Sequence, residues 1–240
     1  MTAPVRRARL RAATMAEARE VARRLLVERG TAAVTVNAVA REMGMSGPAL
    51  YRYFTGHEEL VEAITIDFFR ELTGVIIAAR DTRPGEDTSV RLLAMCRAMR
   101  GWAVAHPAEF EWTFARPSRI SRDPRREESP RFQAGDGFEK VFLGEFVDLW
   151  EGSGFPTPGP GRLDPALGKQ LSAYSARIDG VLPPEAAHVF LSTWTRLYGL
   201  LCMEVLHQLD FAYSDVGPLF EECLREVCDS LGLEYTPPSG

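Results

Sequence analysis

The 240-residue sequence lacks several features that mark common protein classes. No segment reaches about 18 uninterrupted apolar residues, the length that spans a bilayer, and the arginine-rich start contains no apolar run of signal-peptide length. We therefore expect a cytoplasmic protein with no membrane partner. Catalytic motifs are missing too, because GxSxG, HExxH, a phosphate loop and a dinucleotide-binding fingerprint do not occur.

Cysteine is scarce, and its few positions show no pairing pattern. None of the four belongs to a CxxC pair, and no histidine lies near one at metal-ligand spacing. We predict buried, reduced thiols, with redox sensing as the weaker alternative, and we predict neither a metal site nor a cofactor. The four residues are Cys96, Cys202, Cys223 and Cys228.

Alternating strand patterns and internal repeats are also absent, whereas nearly every long segment repeats its apolar residues every 3.6 positions. The pattern predicts an all-α protein. The segment at 116–131 holds six arginines and several prolines, which predicts a mobile surface loop, with a nucleic-acid-binding arm as the alternative. The predicted helices cover residues 11–29, 35–43, a short stretch from Ser46, 58–79, 88–105, 107–115, 135–151, 165–178, 183–209 and 216–231.

Positive charge is concentrated at the start of the chain. Residues 1–60 contain 10 arginines and 6 acids, a net charge of +4, whereas residues 61–240 contain 18 basic and 27 acidic residues, a net charge of −9. A basic N-terminal part on an acidic body suggests that only the N-terminal part meets a polyanion.

The stretch TVNAVAREMGMSGPALYRYF at residues 35–54 places glycine and proline between two amphipathic halves. A helix-turn-helix needs a small residue where its helices meet, a residue that tolerates positive φ in the turn, and an apolar anchor on the second helix. Ala40, Gly44 and Leu50 satisfy these needs at separations of four and six residues. The spacing therefore predicts a helix-turn-helix.

The polar and small residues of this stretch have predicted roles at the two helix starts. We expect Thr35 and Ser46 to cap the first and second helices with their hydroxyl oxygens. Gly47 and Pro48 keep the front of the second helix slim, and the positive end of a helix favours phosphates. Such an edge fits the major groove of DNA.

The residues of this unit and its flanks are Thr35, Ala40, Gly44, Ser46, Ala49, Leu50, Tyr51, Tyr53, Phe54, Glu59 and Leu60. They resemble the signature of TetR-family (tetracycline-repressor-like) transcription regulators over about residues 11–65. The body resembles a common variant of that family through Trp102, His106, Pro107, Phe110, Trp194, Tyr198, Gly199 and Glu204.

The resemblance implies a fold and a division into domains. A three-helix helix-turn-helix DNA-binding domain, with a basic N-terminal arm, would cover residues 1–57. A long fourth helix would link it to a helical-bundle domain for ligand binding and dimerisation at residues 58–240. The resemblance further implies that double-stranded DNA, a second copy of the chain and a small apolar effector are the partners.

The resemblance also assigns residues to DNA contacts. Phosphate contacts fall to Thr35 and Tyr51, with Tyr53 and the amides near Ser46. Base recognition falls to the rim formed by Asn37, Gly47, Pro48, Ala49 and Arg52, and among these only Asn37 and Arg52 offer polar side chains to base edges. His57 stands where the family usually has a lysine that contacts phosphate, which predicts a weaker, pH-dependent contact.

The four arginines near the N-terminus form a flexible arm in this interpretation, with a minor-groove or phosphate contact as an equal alternative. They are Arg6, Arg7, Arg9 and Arg11.

A single small DNA-binding domain covers one half-site, so we expect a dimer. The helices predicted at 183–209 and 216–231 are the candidates for a four-helix bundle with a second copy. The predicted interface residues are Phe190, Trp194, Leu197, Leu201, Val205, Leu219, Cys223 and Val227.

Aromatic residues crowd the rest of the body, and a cavity among them could hold the apolar effector that the family resemblance implies. The residues predicted for such a pocket are Trp102, Phe110, Phe114, Phe142, Phe146, Tyr174, Arg177 and Tyr198.

The sequence therefore favours a homodimeric repressor of a palindromic operator, released by a small hydrophobic effector. One alternative is a DNA-binding regulator whose body serves only dimerisation or protein contacts. A second is a metal-carboxylate enzyme, suggested by Glu-x-x-His pairs at Glu185 and His188 and at Glu204 and His207. Both pairs fall on one predicted helix, about 28 Å apart, so they cannot share a metal pair within one chain.

Overall fold

A computed structural model describes residues 3–83, 85, 87–115, 129–159 and 161–238. Within these residues the protein consists of helices and loops without a strand, which confirms the all-α prediction. A 3₁₀ turn at Thr31–Ala33 and a π-helical turn at Glu111–Ala115 accompany the α-helices. The α-helices are α1 (Ala3–Arg29), α2 (Val36–Glu42), α3 (Gly47–Leu50), α4 (His57–Asp81), α5 (Thr88–Ala105), α6 (Pro107–Phe110), α7 (Pro130–Gly152), α8 (Pro165–Arg177), α9 (Pro184–Val205) and α10 (Gly217–Leu231).

The described residues form two compact units. The N-terminal unit comprises Met1–Glu71 and His106–Asp136, and the C-terminal unit comprises Leu72–Ala105 and Gly137–Gly240. Helices α4 and α7 each contribute residues to both units. This division differs from the predicted boundary after residue 57, because the first part of α4 and the segment that begins at residue 106 pack with the N-terminal helices. The assignment of separate functions to residues 1–57 and 58–240 stays a prediction.

The core of the N-terminal unit forms between α1, α2, α3 and the first part of α4. Helix α1 contacts both α2 and α6. The indole nitrogen of Trp112 donates a hydrogen bond of 3.0 Å to the hydroxyl of Thr65, and both residues are buried. The apolar residues that fill this core include Ala18, Ala22, Leu25, Leu26, Val39, Ala40, Leu50, Phe54, Leu60 and Ile64.

A cluster of charged residues joins three helices of the N-terminal unit. From α1, Arg23 donates hydrogen bonds to Glu71 of α4 at 2.6 Å and to Glu109 of α6 at 2.8 Å. Glu109 is buried, and Arg23 pairs with its carboxylate. The hydrogen bonds to Glu71 raise the pKa of Arg23, against an opposing effect of burial. The cluster therefore holds α1, α4 and α6 in one arrangement.

The core of the C-terminal unit is built around α9. Aromatic rings from α7 surround it, with the ring centres of Phe146 and Phe190 5.1 Å apart and those of Phe138 and Trp194 5.5 Å apart. The shortest ion pairs between α5 and other helices of the unit each use a different arginine. They are Arg91 with Glu145, Arg97 with Glu221, and Arg100 with Glu204.

Several helix limits differ from the prediction. Helix α7 begins at Pro130 rather than at residue 135, and the helix predicted at 107–115 consists of α6 followed by the π-helical turn. Helix α1 begins at Ala3 rather than at residue 11, because its alanine- and arginine-rich start favours helix. The arginines predicted to lie on a flexible arm are therefore helical and exposed. Helix α9 ends at Val205 rather than at residue 209, because His207 adopts a left-handed φ of 57°. Of the loop predicted at 116–131, residues 116–128 lie outside the described residues, and the prediction is wrong for Pro130 and Arg131, which belong to the first turn of α7.

No helix in the described part of the chain is both long and apolar enough to cross a lipid bilayer.

The left-handed turn at Gly44 gives a stability prediction. Gly44 has a φ of 68°, and the space around its missing side chain is open. We expect Gly44→Ala to lower the free energy of unfolding by about 1–2 kcal/mol, because an L-residue is strained in this conformation. Gly74→Ala, at an exposed and open position inside α4, should raise it by about 0.5–1 kcal/mol. Urea unfolding followed by circular dichroism measures both, and a Gly44→Ala variant as stable as the wild type would contradict the strained turn.

Candidate nucleic-acid interface

The turn between α2 and α3 forms as the spacing predicts. The side chain of Thr35 accepts a hydrogen bond of 3.1 Å from the amide of Ala38 and caps α2. After α2, Gly44 takes its left-handed conformation, and the amide of Met45 donates to the carbonyl of Ala40 at 2.8 Å. The predicted cap at Thr35 and the predicted bend at Gly44 are confirmed.

The predicted capping role of Ser46 is wrong. Ser46 occupies the position before α3 with an extended backbone, but its side chain accepts no capping hydrogen bond. Helix α3 has only four residues, and its start is shaped by Pro48 in the first turn. Ser46 is exposed, and its hydroxyl does not cap α3.

The two faces of this unit differ sharply in exposure. Its inner face is formed by Val39, Ala40, Leu50 and Phe54, all of which are at most 1% exposed. The front of α3 lies outside the core, as the prediction of a groove-binding helix requires. The exposed predicted contact residues are Thr35, Asn37, Ser46, Pro48, Tyr51, Arg52 and His57, and Gly47, Ala49 and Tyr53 are half-buried.

Two predicted base-contacting residues lie directly against each other. A Cβ atom added at Gly47 would overlap the side-chain oxygen of Asn37. The side chain of Asn37, from the start of α2, therefore lies over the start of α3, and glycine at position 47 makes room for it. The sequence indicated both residues as part of the rim but did not show that one depends on the other.

Arg11 is a residue whose role the sequence did not show. From α1, its guanidinium donates to the backbone carbonyls of Arg52 at 2.8 Å and of Tyr53 at 3.5 Å, and it lies 5.2 Å from the centre of the Tyr53 ring. These contacts fasten the end of the α3 segment to α1. The partners lie so far apart in the sequence that no local pattern could indicate the contact.

The start of α4 is fixed by a contact between Thr55 and Glu59. The carboxylate of Glu59 accepts hydrogen bonds from the amide of Thr55 at 2.5 Å and from its hydroxyl at 2.8 Å. These bonds lower the pKa of Glu59, since they favour the ionised form. His57 lies exposed in the first turn of α4, beside this contact.

The C-terminal unit contains a small apolar cavity. Its volume is about 20 Å³, well below the roughly 300–1,000 Å³ of ligand pockets. Phe142 and Phe146, two of the residues predicted for an effector pocket, line it, together with Phe190 and Trp194, which were predicted for the dimer interface. Thr193 contributes a hydroxyl-bearing side chain to an otherwise largely apolar wall.

The other residues predicted for an effector pocket lie elsewhere. In the N-terminal unit, the rings of Phe110 and Phe114 are 4.9 Å apart. In the C-terminal unit, Tyr174 and Arg177 donate hydrogen bonds to Glu139 at 2.6 and 2.8 Å.

Trp102 and Tyr198 complete the predicted set, and neither lines the cavity. Trp102 is buried in α5, and Tyr198 stacks on Trp194 with ring centres 5.7 Å apart. The eight predicted residues therefore do not form one pocket.

Most residues predicted for the dimer interface are inside a single chain. Six of the eight predicted residues are buried, and their side chains belong to the core of the C-terminal unit. Each is at most 8% exposed and therefore offers little surface to a second copy. The six buried residues are Phe190, Leu197, Leu201, Val205, Cys223 and Val227, whereas Trp194 and Leu219 are half-buried.

Three of the four cysteines are buried as predicted, and Cys202 is half-buried. Burial raises the pKa of Cys96 to about 12 and that of Cys228 to about 11, so both thiols stay protonated at neutral pH. Among the described residues, no three side chains of His, Cys, Asp or Glu converge as a metal site. Glu185, His188 and Glu204 all lie on α9, and Glu204 is bound to Arg100.

The exposed helix α3, the left-handed turn at Gly44 and the buried anchor Leu50 form a helix-turn-helix, a unit typical of DNA-binding proteins. Comparison with known families agrees with this class. A model of the N-terminal domain of "bacterial regulatory proteins, tetR family" matches residues 19–64. A model of the "tetracyclin repressor-like, C-terminal domain" matches residues 92–227, more than half of the chain. The chain belongs to the TetR family of transcriptional regulators.

Individual relatives are also regulators, not enzymes. Over 98 residues the chain is 35% identical to the HTH-type transcriptional regulator Rv1816 of Mycobacterium tuberculosis and, equally, to Mb1846 of Mycobacterium bovis. These matches cover 41% of this chain and 42% of each relative, so the chain spans about two fifths of their length.

A solved structure covers much more of the chain. The regulatory protein SCO4313 has a TM-score of 0.70 and 29% sequence identity, over 92% of this chain and 98% of that chain. A TetR-family transcription regulator from Shewanella sp. PV-4, at 18% identity and a TM-score of 0.56, shares the fold over 90% of this chain and 97% of its own.

The close approach of Asn37 to Gly47 gives a prediction for DNA binding. We expect Gly47→Ala to weaken binding by the contribution of one base contact, about 1–3 kcal/mol, because the added methyl group displaces Asn37. In an Asn37→Ala background the same change should have little further effect. Gly56→Ala, where the space is open, is the control. Fluorescence anisotropy with labelled DNA measures the affinity of each variant. If Gly47→Ala weakened binding equally in the wild type and in Asn37→Ala, its effect would not act through Asn37.

Proposed function

We propose that the protein is a homodimeric repressor that binds a palindromic operator in the cytoplasm and is released by a small hydrophobic effector. The observation that carries the DNA-binding part is the exposed front of α3, with its inner side anchored by the buried Leu50. The match to a tetracyclin-repressor-like domain over residues 92–227 supports the repressor assignment.

Within the DNA interface, the proposed roles follow side-chain chemistry. Thr35, Tyr51 and Tyr53 have hydroxyl groups that suit phosphate oxygens, and such contacts fix the position of the protein on the duplex. Arg52 and Asn37 carry the polar groups that can distinguish base edges in the major groove. Arg11 acts as a positioning residue, because its guanidinium already binds the carbonyls of Arg52 and Tyr53.

The basic start of α1 extends the proposed interface. The exposed arginines precede Arg11 on the same helix, which is itself bound to the end of the α3 segment. We infer that they contact phosphates beside the major-groove site. They are Arg6, Arg7 and Arg9.

The proposed dimer uses the outer side of α9, because the inner side is occupied by the core. A row of residues spaced by three and four positions follows this outer side. Its centre is Gly199, where an added Cβ would meet nothing within 4 Å, so a second helix can approach closely. The row consists of Val189, Ser192, Arg196, Gly199 and Met203, each exposed or half-buried.

The proposed effector site is the apolar cavity between α5, α7, α9 and α10. Its present volume admits no drug-sized molecule, so binding must move rings such as Phe142 and Trp194. An effector that binds the enlarged cavity more tightly than the small one would shift the protein towards the conformation with the enlarged cavity. The small volume also favours a second candidate, a regulator whose body serves dimerisation alone.

The DNA part is tested by selecting bound sequences from a random pool. We expect a two-fold symmetric site, because the proposed dimer presents two identical α3 helices. Binding should weaken steeply with salt, since phosphate contacts release counterions. Recovery of a single asymmetric half-site would contradict the dimeric repressor.

Two arginine variants check which residues face the selected DNA. Arg52→Ala is expected to cost about 1–3 kcal/mol and to relax specificity at one position. Arg225→Ala, which removes one positive charge from α10, should leave DNA affinity unchanged.

The effector part is tested by thermal-shift screening against apolar compounds. At 100 times its dissociation constant an effector stabilises by about 2.7 kcal/mol, which corresponds to a rise in Tm of roughly 5–11 °C for a chain of this size. The shift should disappear in Leu201→Phe, which fills the cavity, and persist in Leu231→Phe, a buried position that does not line it. A shift that persists in both variants would place the site elsewhere, and the absence of any responding compound would favour the effector-free regulator.

A further inference from the structure

A groove on the surface of the C-terminal unit adjoins the proposed effector cavity. Its volume is about 240 Å³, and it runs between the loop after α7, the N-terminal half of α9 and the end of α10. Ligand pockets start at roughly 300 Å³, so the groove alone is nearly large enough for a small molecule. The principal lining residues are Pro156, Pro158, His188, Val189, Ser192 and Arg196, and we call it the proline groove.

Two buried residues separate the proline groove from the apolar cavity. Thr193 and Val227 line both spaces and are 8% and 3% exposed. Within the described part of the chain, the hydroxyl of Thr193 has no hydrogen-bond partner. A molecule that reaches from one space into the other therefore passes between these two short side chains.

The cavity has walls that suit an aromatic guest. None of its described lining residues is charged, and aromatic rings form a large part of its surface. Because the cavity is small, a guest ring has to displace some of these rings. They belong to Phe142, Phe146, Phe190, Trp194 and Phe220.

The proline groove has a different chemistry. Its proline rings and Val189 are apolar, but His188 offers ring nitrogens, Ser192 a hydroxyl and Arg196 a guanidinium. None of the described residues that line it is acidic. A ligand that fits both spaces therefore has an apolar aromatic end and an anionic end.

Arg196 is the positive charge of the proline groove. Its guanidinium donates to the carboxylate of Glu226 at 3.1 Å, and the two side chains are 50% and 60% exposed. An ion pair as exposed as this one contributes little to stability, so the guanidinium can exchange Glu226 for a ligand at small cost. A carboxylate suits it best, because the two groups can form a pair of parallel hydrogen bonds.

We propose that the effector is an arylalkyl carboxylate that spans both spaces. Its aromatic end occupies the apolar cavity, its chain passes between Thr193 and Val227, and its carboxylate binds Arg196, with His188 and Ser192 as further hydrogen-bond partners. The proposal rests on the proposed effector function and names the chemical class of the effector. Ser192 and Arg196 also belong to the outer row of α9, so the bound carboxylate borders the proposed contact with a second copy.

Isothermal titration calorimetry with matched compounds tests the charge of the head group. Phenylhexanoate, phenylhexanol and phenylhexylamine, each with the ring at the end of the chain, differ only in that group, and at about pH 7.5 the acid is ionised. We expect the acid to bind the full-length protein at least about 10-fold more tightly than the alcohol, because its carboxylate gains charge-assisted hydrogen bonds. The amine should bind least tightly. An alcohol or amine that binds as tightly as the acid would overturn the anionic head group.

Arg196→Gln tests which residue binds the carboxylate. The position is exposed, so the variant should fold, and its preference for the acid over the alcohol should disappear while its affinity for the alcohol stays the same. The matched control Arg225→Gln removes a similarly exposed arginine of α10 that does not line the groove and should keep the preference. A preference that survives Arg196→Gln would overturn the assignment.

Leu201→Phe and Ser192→Trp test whether one molecule occupies both spaces. Leu201 lines the cavity alone and Ser192 the groove alone, so each added bulk should weaken binding of the acid at least about 10-fold. The matched controls Leu231→Phe and Ser172→Trp alter neither space and should leave the affinity unchanged. Loss of affinity in only one of the two test variants would confine the acid to one space and overturn the spanning mode.

The alcohol separates the effector function from the choice of head group. If phenylhexanol binds as tightly as the acid and loses affinity in Leu201→Phe, the effector cavity stands and the carboxylate alone is overturned. If none of the compounds binds, the arylalkyl carboxylate is overturned, and the thermal-shift screen against apolar compounds decides the effector function separately.

Discussion

The burial of Leu50 is the constraint on which the DNA-binding surface depends. Helix α3 is a single turn, and a helix of this length has no stability of its own in water. Leu50, with no exposed surface, and Phe54 anchor it to the core from behind. Only because the inner side is fixed in this way can the front consist of small and polar residues that add almost nothing to stability. The left-handed turn at Gly44 then sets the direction in which this front points.

The rest of the N-terminal unit supports that anchor through α1. One end of α1 is held by Arg23, which binds the buried Glu109 and also Glu71. Near its other end, Arg11 binds the backbone at the end of the α3 segment. A buried carboxylate without its partner is costly, so the Arg23 cluster favours one position of α1 strongly. Helix α1 therefore connects α4 and α6 to the end of the α3 segment.

Features that depend on residues close together in the sequence could be predicted from residue type and spacing. The cap at Thr35, the bend at Gly44 and the inner face of the helix-turn-helix follow from residue types at fixed spacing, and the structure confirms each. Contacts between distant residues could not be predicted in this way. Arg11 with Arg52 and Arg23 with Glu109 are separated by 41 and 86 residues, and nothing in the periodicity of either segment indicates the other. Apolar periodicity in α9 likewise identified a buried face, but it could not distinguish a core within one chain from an interface between two.

The two sides of α9 provide the physical link between effector and dimer in the proposed function. Phe190, Leu197 and Leu201 on the inner side line the apolar cavity, and Ser192, Arg196 and Gly199 on the outer side form the proposed contact with a second copy. Protein interiors are closely packed, so a guest that enlarges a cavity of about 20 Å³ must shift the helices that enclose it. A shift of α9 changes the geometry of the dimer contact, and by linkage the dimer contact must influence effector affinity to the same degree. Effector binding and subunit recognition are therefore expected to depend on each other.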